Sequence, residues 1–221
     1  MAKKNTKIVF DSPVTLILAA CCLLVFAFCK IAPQAICAKV MAFFSTPVMR
    51  QNGKVVNLFN VSTYLRLVMH VFGHGNFFSL FLNLSFILLL APQTEKLYGS
   101  RFFALMALTA SLVSGVLAFC FVPFSLQGAQ CISFLLTVLC VFGSIKKQEL
   151  PLSPLILLVL FIIFSITADY GAYAQIANLA GGLCAALFGM IPQEKKNTQN
   201  GKKSSAAKNK ETKTGTEANN E

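Results

Sequence analysis

Proton transfer and nucleophilic attack need particular side chains within reach of one another, and this chain has few that could cooperate. Its two histidines, His70 and His74, are four residues apart, a spacing that puts both on one side of a helical turn. As metal ligands they lack a third donor at suitable spacing, so no metal site is expected. The eight cysteines include no C-x-x-C pair, which argues against zinc or redox chemistry. Within apolar stretches they act most simply as small hydrophobes. Cys131 follows Gln130, but a thiol becomes a nucleophile only beside a base and in an electropositive setting, and no histidine is near it in the sequence. Ser133 and Thr137 follow Gln130 at helical spacing and share its face, as Ser79 and Asn83 share theirs. There is no glycine-rich phosphate loop, no H-E-x-x-H and no internal repeat, and no cofactor is expected.

The elements that must position these residues are apolar. The 221 residues are 56% hydrophobic and 12% charged, with no Trp and 21 Phe, whereas soluble domains carry about a quarter charged residues. The apolar residues come in blocks: Val14 to Cys29, Phe77 to Ala91, Phe102 to Phe121, Cys131 to Ile145, Leu155 to Thr167 and Tyr170 to Ile191. Several fall short of the roughly 20 residues of a full span, as expected of helices that begin inside the protein and line a cavity. The pattern predicts an all-α, polytopic membrane protein of six transmembrane helices. It divides into a cytoplasmic segment over 1–13, a membrane domain over 14–191 and a disordered basic and polar tail over 192–221.

Lysines and arginines set the orientation. One face carries Lys3, Lys4, Lys7, Lys96, Arg101, Lys146, Lys147 and the seven lysines of the tail; the other carries mainly Lys39, Arg50, Lys54 and Arg66. Both termini are therefore expected in the cytoplasm. The net charge of +11 follows from this topology and the tail. No basic stripe with interleaved aromatics occurs, so nucleic acid is not an expected partner; the lipid bilayer is.

Two stretches carry more than hydropathy. The first runs from Tyr64-Leu-Arg66 through His74, Ser79 and Asn83, and the second is Glu95-Lys-Leu-Tyr-Gly-Ser-Arg101. Together they resemble the rhomboid family of intramembrane serine proteases, with its aromatic-Arg pair, its His, His and Asn on the second helix, and its Glu-x-x-x-Gly-Ser motif. The resemblance implies a rhomboid-like six-helix bundle in which His74, Ser79 and Asn83 occupy the positions on the oxyanion side. It also implies where the catalytic dyad would stand. The family's Gly-x-Ser-Gly corresponds here to Gly128-Ala129-Gln130-Cys131, with Gln130 in place of the nucleophile. Its Ala-His with a glycine three residues on corresponds to Ala177-Asn178 and Gly181, with Asn178 in place of the base.

A primary amide is neither a nucleophile nor a base at physiological pH, so no catalytic residue is expected. The reading is a pseudoprotease of the cell inner membrane that binds transmembrane segments of client proteins, a role implied by the resemblance alone. The rivals are an active rhomboid-type endopeptidase whose motifs align differently, and an unrelated channel or transporter subunit, for which only Asp169 lies near membrane depth. The simplest role for Ser79 and Asn83 is hydrogen bonding between helices. Asn178, Gly181, Ala185 and Gly189 form a small-residue stripe for close packing. Gln130 and Asn178 can meet as an amide pair, and Arg66 can anchor the first loop.

Overall fold

Over its described residues every apolar block is helical, and the polar segment between the first two carries structure as well. In the computed structural model the residues described are 12–51, 54–57, 59–145, 152–167 and 171–189. They form α1 (Pro13–Ile31), α2 (Gln34–Phe43), a two-residue hairpin β1 (Arg50–Gln51) and β2 (Lys54–Val55), α3 (Val61–Met69), a 3₁₀ turn (His70–Phe72), α4 (Phe77–Tyr98), α5 (Ser100–Phe121), α6 (Gln130–Ile145), α7 (Leu152–Thr167) and α8 (Gly171–Gly189). Asp169, Lys146, Lys147 and the tail over 192–221 lie outside the described residues, as do residues 1–11.

Hydropathy misses α2 and α3 because neither is a long apolar block. Asn60 opens α3 by accepting a hydrogen bond from the Ser62 amide, which satisfies one of the orphan donors at a helix start. Arg66 of α3 donates from Nε to the Ser45 carbonyl at 3.0 Å and from Nη2 to the Thr46 carbonyl at 3.2 Å. It anchors the first loop as its type and position suggest.

Among the described residues, three helices are long and apolar enough to cross a membrane: α1, α4 and α5. α1 buries Thr15, Ala19 and Cys22 and exposes Leu16, Ile17, Leu23, Leu24 and Phe28, as a helix with one face on protein and the rest on lipid must. Its N-terminus is closed by a distant residue. Glu95, near the end of α4, accepts from the amides of Val14 at 3.0 Å and Thr15 at 2.9 Å and from the Thr15 hydroxyl at 2.8 Å. The carboxylate satisfies orphan N–H groups and meets the positive end of the helix dipole. α4 continues past the expected Ala91, carrying Pro92 within it, because its last turn has this contact to make.

α6 is the central helix. Every residue from Cys131 to Leu139 is buried, which is the pattern of a helix enclosed on all sides. Around it lie α4, α5, α7 and α8. α8 sits between α5 and α6 with almost no separation. A Cβ added to Gly181 would come within 2.6 Å of the Ala110 carbonyl oxygen, and one added to Gly182 would come within 2.6 Å of the Cys131 carbonyl oxygen. Only glycine lets backbones approach this closely.

Candidate functional site: an amide pair beside a cavity

The loop before α6 fixes where Gln130 stands. Thr46 of the first loop donates its amide to the Leu126 carbonyl at 2.9 Å, and its hydroxyl accepts from the Leu126 amide at 2.8 Å. Two residues on, the Gly128 amide donates to the His70 carbonyl at 3.0 Å. Gly128 takes φ 111°, a conformation that side chains disfavour. A Cβ added there would meet Asn83 Nδ2 and Ser79 Oγ only at ordinary contact distance. The glycine therefore answers to backbone conformation, and its position places α4's polar face beside the start of α6.

Gln130 and Asn178 meet. Asn178 Nδ2 donates to Gln130 Oε1 at 2.9 Å, and Asn178 Oδ1 accepts from the Ser114 hydroxyl at 2.9 Å. Both amides are buried, and each interhelical bond answers the cost of leaving a polar group unpaired in an apolar interior. Ser114 is absent from the motifs read in the sequence. Its only trace there is its place next to Gly115 on a small-residue face of α5, which says nothing of a partner on α8.

Asn83 and Ser79 do share a face, and that face is tied to α6. Ser133 Oγ donates to Asn83 Oδ1 at 3.0 Å, while Asn83 Nδ2 donates to the Ser79 carbonyl at 3.0 Å. Thr137 turns its hydroxyl back to the Ser133 carbonyl at 2.8 Å. Asn83 thus bonds between helices, as its simplest role requires, and does so toward a serine one turn along α6 from Gln130.

The histidines stand apart from this network. His70 Nδ1 lies 2.9 Å from the Leu67 carbonyl and His74 Nδ1 lies 3.3 Å from the Phe72 carbonyl. A carbonyl partner requires the proton on Nδ1, so each Nε2 is a bare acceptor, buried without a partner among the described residues. Burial pushes both imidazoles down to about 4, because a desolvated ring resists taking a charge. Both are neutral near pH 7. Neither shares a hydrogen bond with Gln130, Cys131 or Ser133 among the described residues, and His74 is not brought to Ser79 and Asn83 by any such bond. Cys131 is fully buried.

Beside the amide pair lies a cavity of about 290 Å³. Its walls are Ser79, Leu82, Asn83 and Phe86 of α4, Leu157, Leu160 and Phe161 of α7, and Gln130. Phe161 closes part of it against Phe86, edge to face at 5.3 Å between centroids, and against Phe134 at 5.8 Å. The lining is mostly carbon with three polar residues, as in sites that take an apolar ligand and orient it by a few hydrogen bonds.

A helical bundle with apolar spans, a polar cluster at the head of a buried central helix and a cavity beside it defines a membrane protein with an internal site. The description "Rhomboid domain" matches residues 61–193, from α3 past the end of α8, and the chain belongs to the rhomboid family. No curated protein matches it.

Proposed function

We propose that this rhomboid-family protein is a pseudoprotease, which binds transmembrane segments of client proteins without cutting them. The observation that carries the reading is the 2.9 Å bond between Asn178 and Gln130. These are the positions at which the family resemblance would put base and nucleophile. Hydrolysis of a peptide bond by a serine–histidine dyad needs a hydroxyl and a proton acceptor in contact, and two amides supply neither. In serine hydrolases, loss of nucleophile or base costs on the order of a millionfold in turnover. Among the described residues, the neutral histidines have no hydrogen bond to any hydroxyl or thiol of the cluster that could substitute.

Client binding is supported by the cavity between α4 and α7. Apolar walls suit an aliphatic or aromatic side chain of a membrane helix, and Ser79, Asn83 and Gln130 suit a client helix that carries a polar group, which is costly to leave in lipid. Six spans, cytoplasmic termini and the cell inner membrane complete the proposal, on the strength of six apolar helices and the lysine distribution.

Serine-directed fluorophosphonate probes test the catalytic half of the proposal. The wild-type protein is expected to remain unlabelled, and the double substitution Gln130→Ser with Asn178→His to gain labelling. That gain is expected to be weak, because Ser79 stands where a histidine is needed and a lost oxyanion donor costs about 100-fold or more. Labelling of the wild type that survives both Gln130→Ala and Cys131→Ala overturns the reading. Crosslinking from Leu160 into the membrane tests client binding, and capture of lipid alone would count against it.

A further inference from the structure

Three polar residues wall the cavity beside α6, and they are not equally free to meet an occupant. Asn83 is committed: its Oδ1 accepts from Ser133, and its Nδ2 donates to the Ser79 carbonyl. Gln130 has used only its oxygen, which accepts from Asn178; among the described residues its Nε2 donates to nothing. Ser79 gives its backbone amide to Asn76, and among the described residues its hydroxyl neither donates nor accepts. Ser79 and Gln130 are each more than nine-tenths buried, in surroundings where an unpaired polar group is costly. The remaining walls are leucine and phenylalanine, with no ionisable side chain among them.

The protein's own helices show which side chains need such partners. Ser85 of α4 and Thr109 of α5 each donate a hydroxyl to the carbonyl four residues back, at 2.7 and 2.9 Å. A serine or threonine on a membrane helix can thus satisfy itself. A primary amide cannot. Asn83 turns its nitrogen back to its own helix, yet its oxygen takes the Ser133 hydroxyl, and the oxygen of Asn178 takes the Ser114 hydroxyl. The N–H groups in the body of a helix are already bonded within it, so an amide oxygen must find its donor on a neighbour. Gln130 Nε2 and the Ser79 hydroxyl are donors of that kind, and the Ser79 oxygen can accept in return from an amide nitrogen. An ionised carboxylate or ammonium would instead be buried there without a counter-charge.

We propose that the cavity selects clients by a neutral primary amide, the side chain of an asparagine or glutamine at membrane depth in the client helix. The client's amide oxygen accepts from Gln130 Nε2, and its amide nitrogen donates to Ser79 Oγ. This rests on the reading of the cavity as a client site and adds which clients it takes. An apolar client leaves both Gln130 and Ser79 unpaired behind it, so the site rejects it through its own polar groups. Asn83 is a positioning residue, which ties α4 to α6 through Ser133 and so holds Ser79 and Gln130 on facing walls of one space.

The experiment uses the full-length protein in nanodiscs, with a photocrosslinker at Leu160, and synthetic single-span leucine–alanine peptides at low peptide-to-lipid ratio. Each peptide carries one variable residue, placed at successive positions along its span. At the best position, asparagine and glutamine peptides are expected to be captured about tenfold more than the purely apolar peptide, as two hydrogen bonds between membrane helices supply. Serine, aspartate and lysine peptides should show no such gain. Ser79→Ala and Gln130→Leu should each bring the ratio of amide to apolar capture toward one, while Leu183→Ala, on the outer face of α8, should leave it unchanged. The ratio is taken within each variant, so partial loss of folded protein does not alter it. Equal capture of amide and apolar peptides overturns the proposal and leaves client binding standing; capture of no peptide overturns client binding and the proposal with it. The proposal also fails if serine, aspartate or lysine peptides share the gain, or if the amide preference survives either Ser79→Ala or Gln130→Leu.

Discussion

α7 and α8 both pack against the central helix, by opposite means. α8 does so backbone to backbone, with Gly182 set against the carbonyl of Cys131 and Gly181 against α5. Among the described residues α7 buries only Phe161 and exposes Leu155, Ile156, Val159, Leu160 and Ile163. Its contact is ring to ring, through Phe134 and Phe86, and it leaves a cavity. Where helices touch through glycine there is no volume to spare, and side chains such as Asn178 are held in one place. Where they touch through large rings, gaps remain. The amide pair belongs to the tight side of α6 and the room for an occupant to the loose side.

The sharpest way to break this contrast is to insert volume on the tight side. Gly181→Leu puts a side chain where even a Cβ meets backbone at 2.6 Å. It is expected to cost about 3 kcal/mol, the upper part of the range for overpacking. Thermal unfolding in detergent micelles measures this, with Leu183→Ala as the comparison, because Leu183 is exposed on the same helix and should change little. An unchanged melting temperature for Gly181→Leu would mean that α8 does not seat on α5.

Next in size is Asn178→Ala. It removes a donor from Gln130 Oε1 and an acceptor from the Ser114 hydroxyl, and two buried groups left without partners are expected to cost about 2 kcal/mol. Ser114→Ala removes one bond and should cost about 1 kcal/mol. If the two substitutions cost the same, Gln130 has found another partner and the three residues do not act as one network.

The tight side was more legible in the sequence than the loose one. Apolar blocks suffice to find α1, α4, α5, α6, α7 and α8, and the stripe Asn178, Gly181, Ala185, Gly189 already marks a close contact. Motif position suggested the meeting of Gln130, at the head of α6, with Asn178, within α8, because the family resemblance places the two motifs opposite each other. Ser114 was not legible: serines on apolar helices commonly bond back to their own backbone, as Ser111 does to the Ala107 carbonyl at 2.8 Å, and nothing local distinguishes one that bonds across. α2 and α3 were missed because short helices in a loop have no apolar block to announce them. A cavity was expected from the short apolar blocks, but which helices wall it depends on how they lean, which spacing rules for contiguous motifs do not encode.

The smallest expected effect is on the loose side. A phenylalanine cut to alanine in a closed core costs about 3–5 kcal/mol, since the loss grows with the cavity left behind. Phe161 already borders empty space on one side, so part of its surface has no protein neighbour to lose. Phe161→Ala forfeits the contacts to Phe86 and Phe134 and little else, and is expected to cost only about 1 kcal/mol. The same change widens the space between α4 and α7, so a hydrophobic probe that fits there should bind more tightly to the variant than to the wild type. Thermal unfolding with and without the probe reads both quantities. A cost equal to that of Gly181→Leu would place α7 on the tight side after all. A small cost with no gain in probe binding would mean that α7 closes over the gap when the ring is removed, leaving the cavity dependent on Phe161 to prop it open.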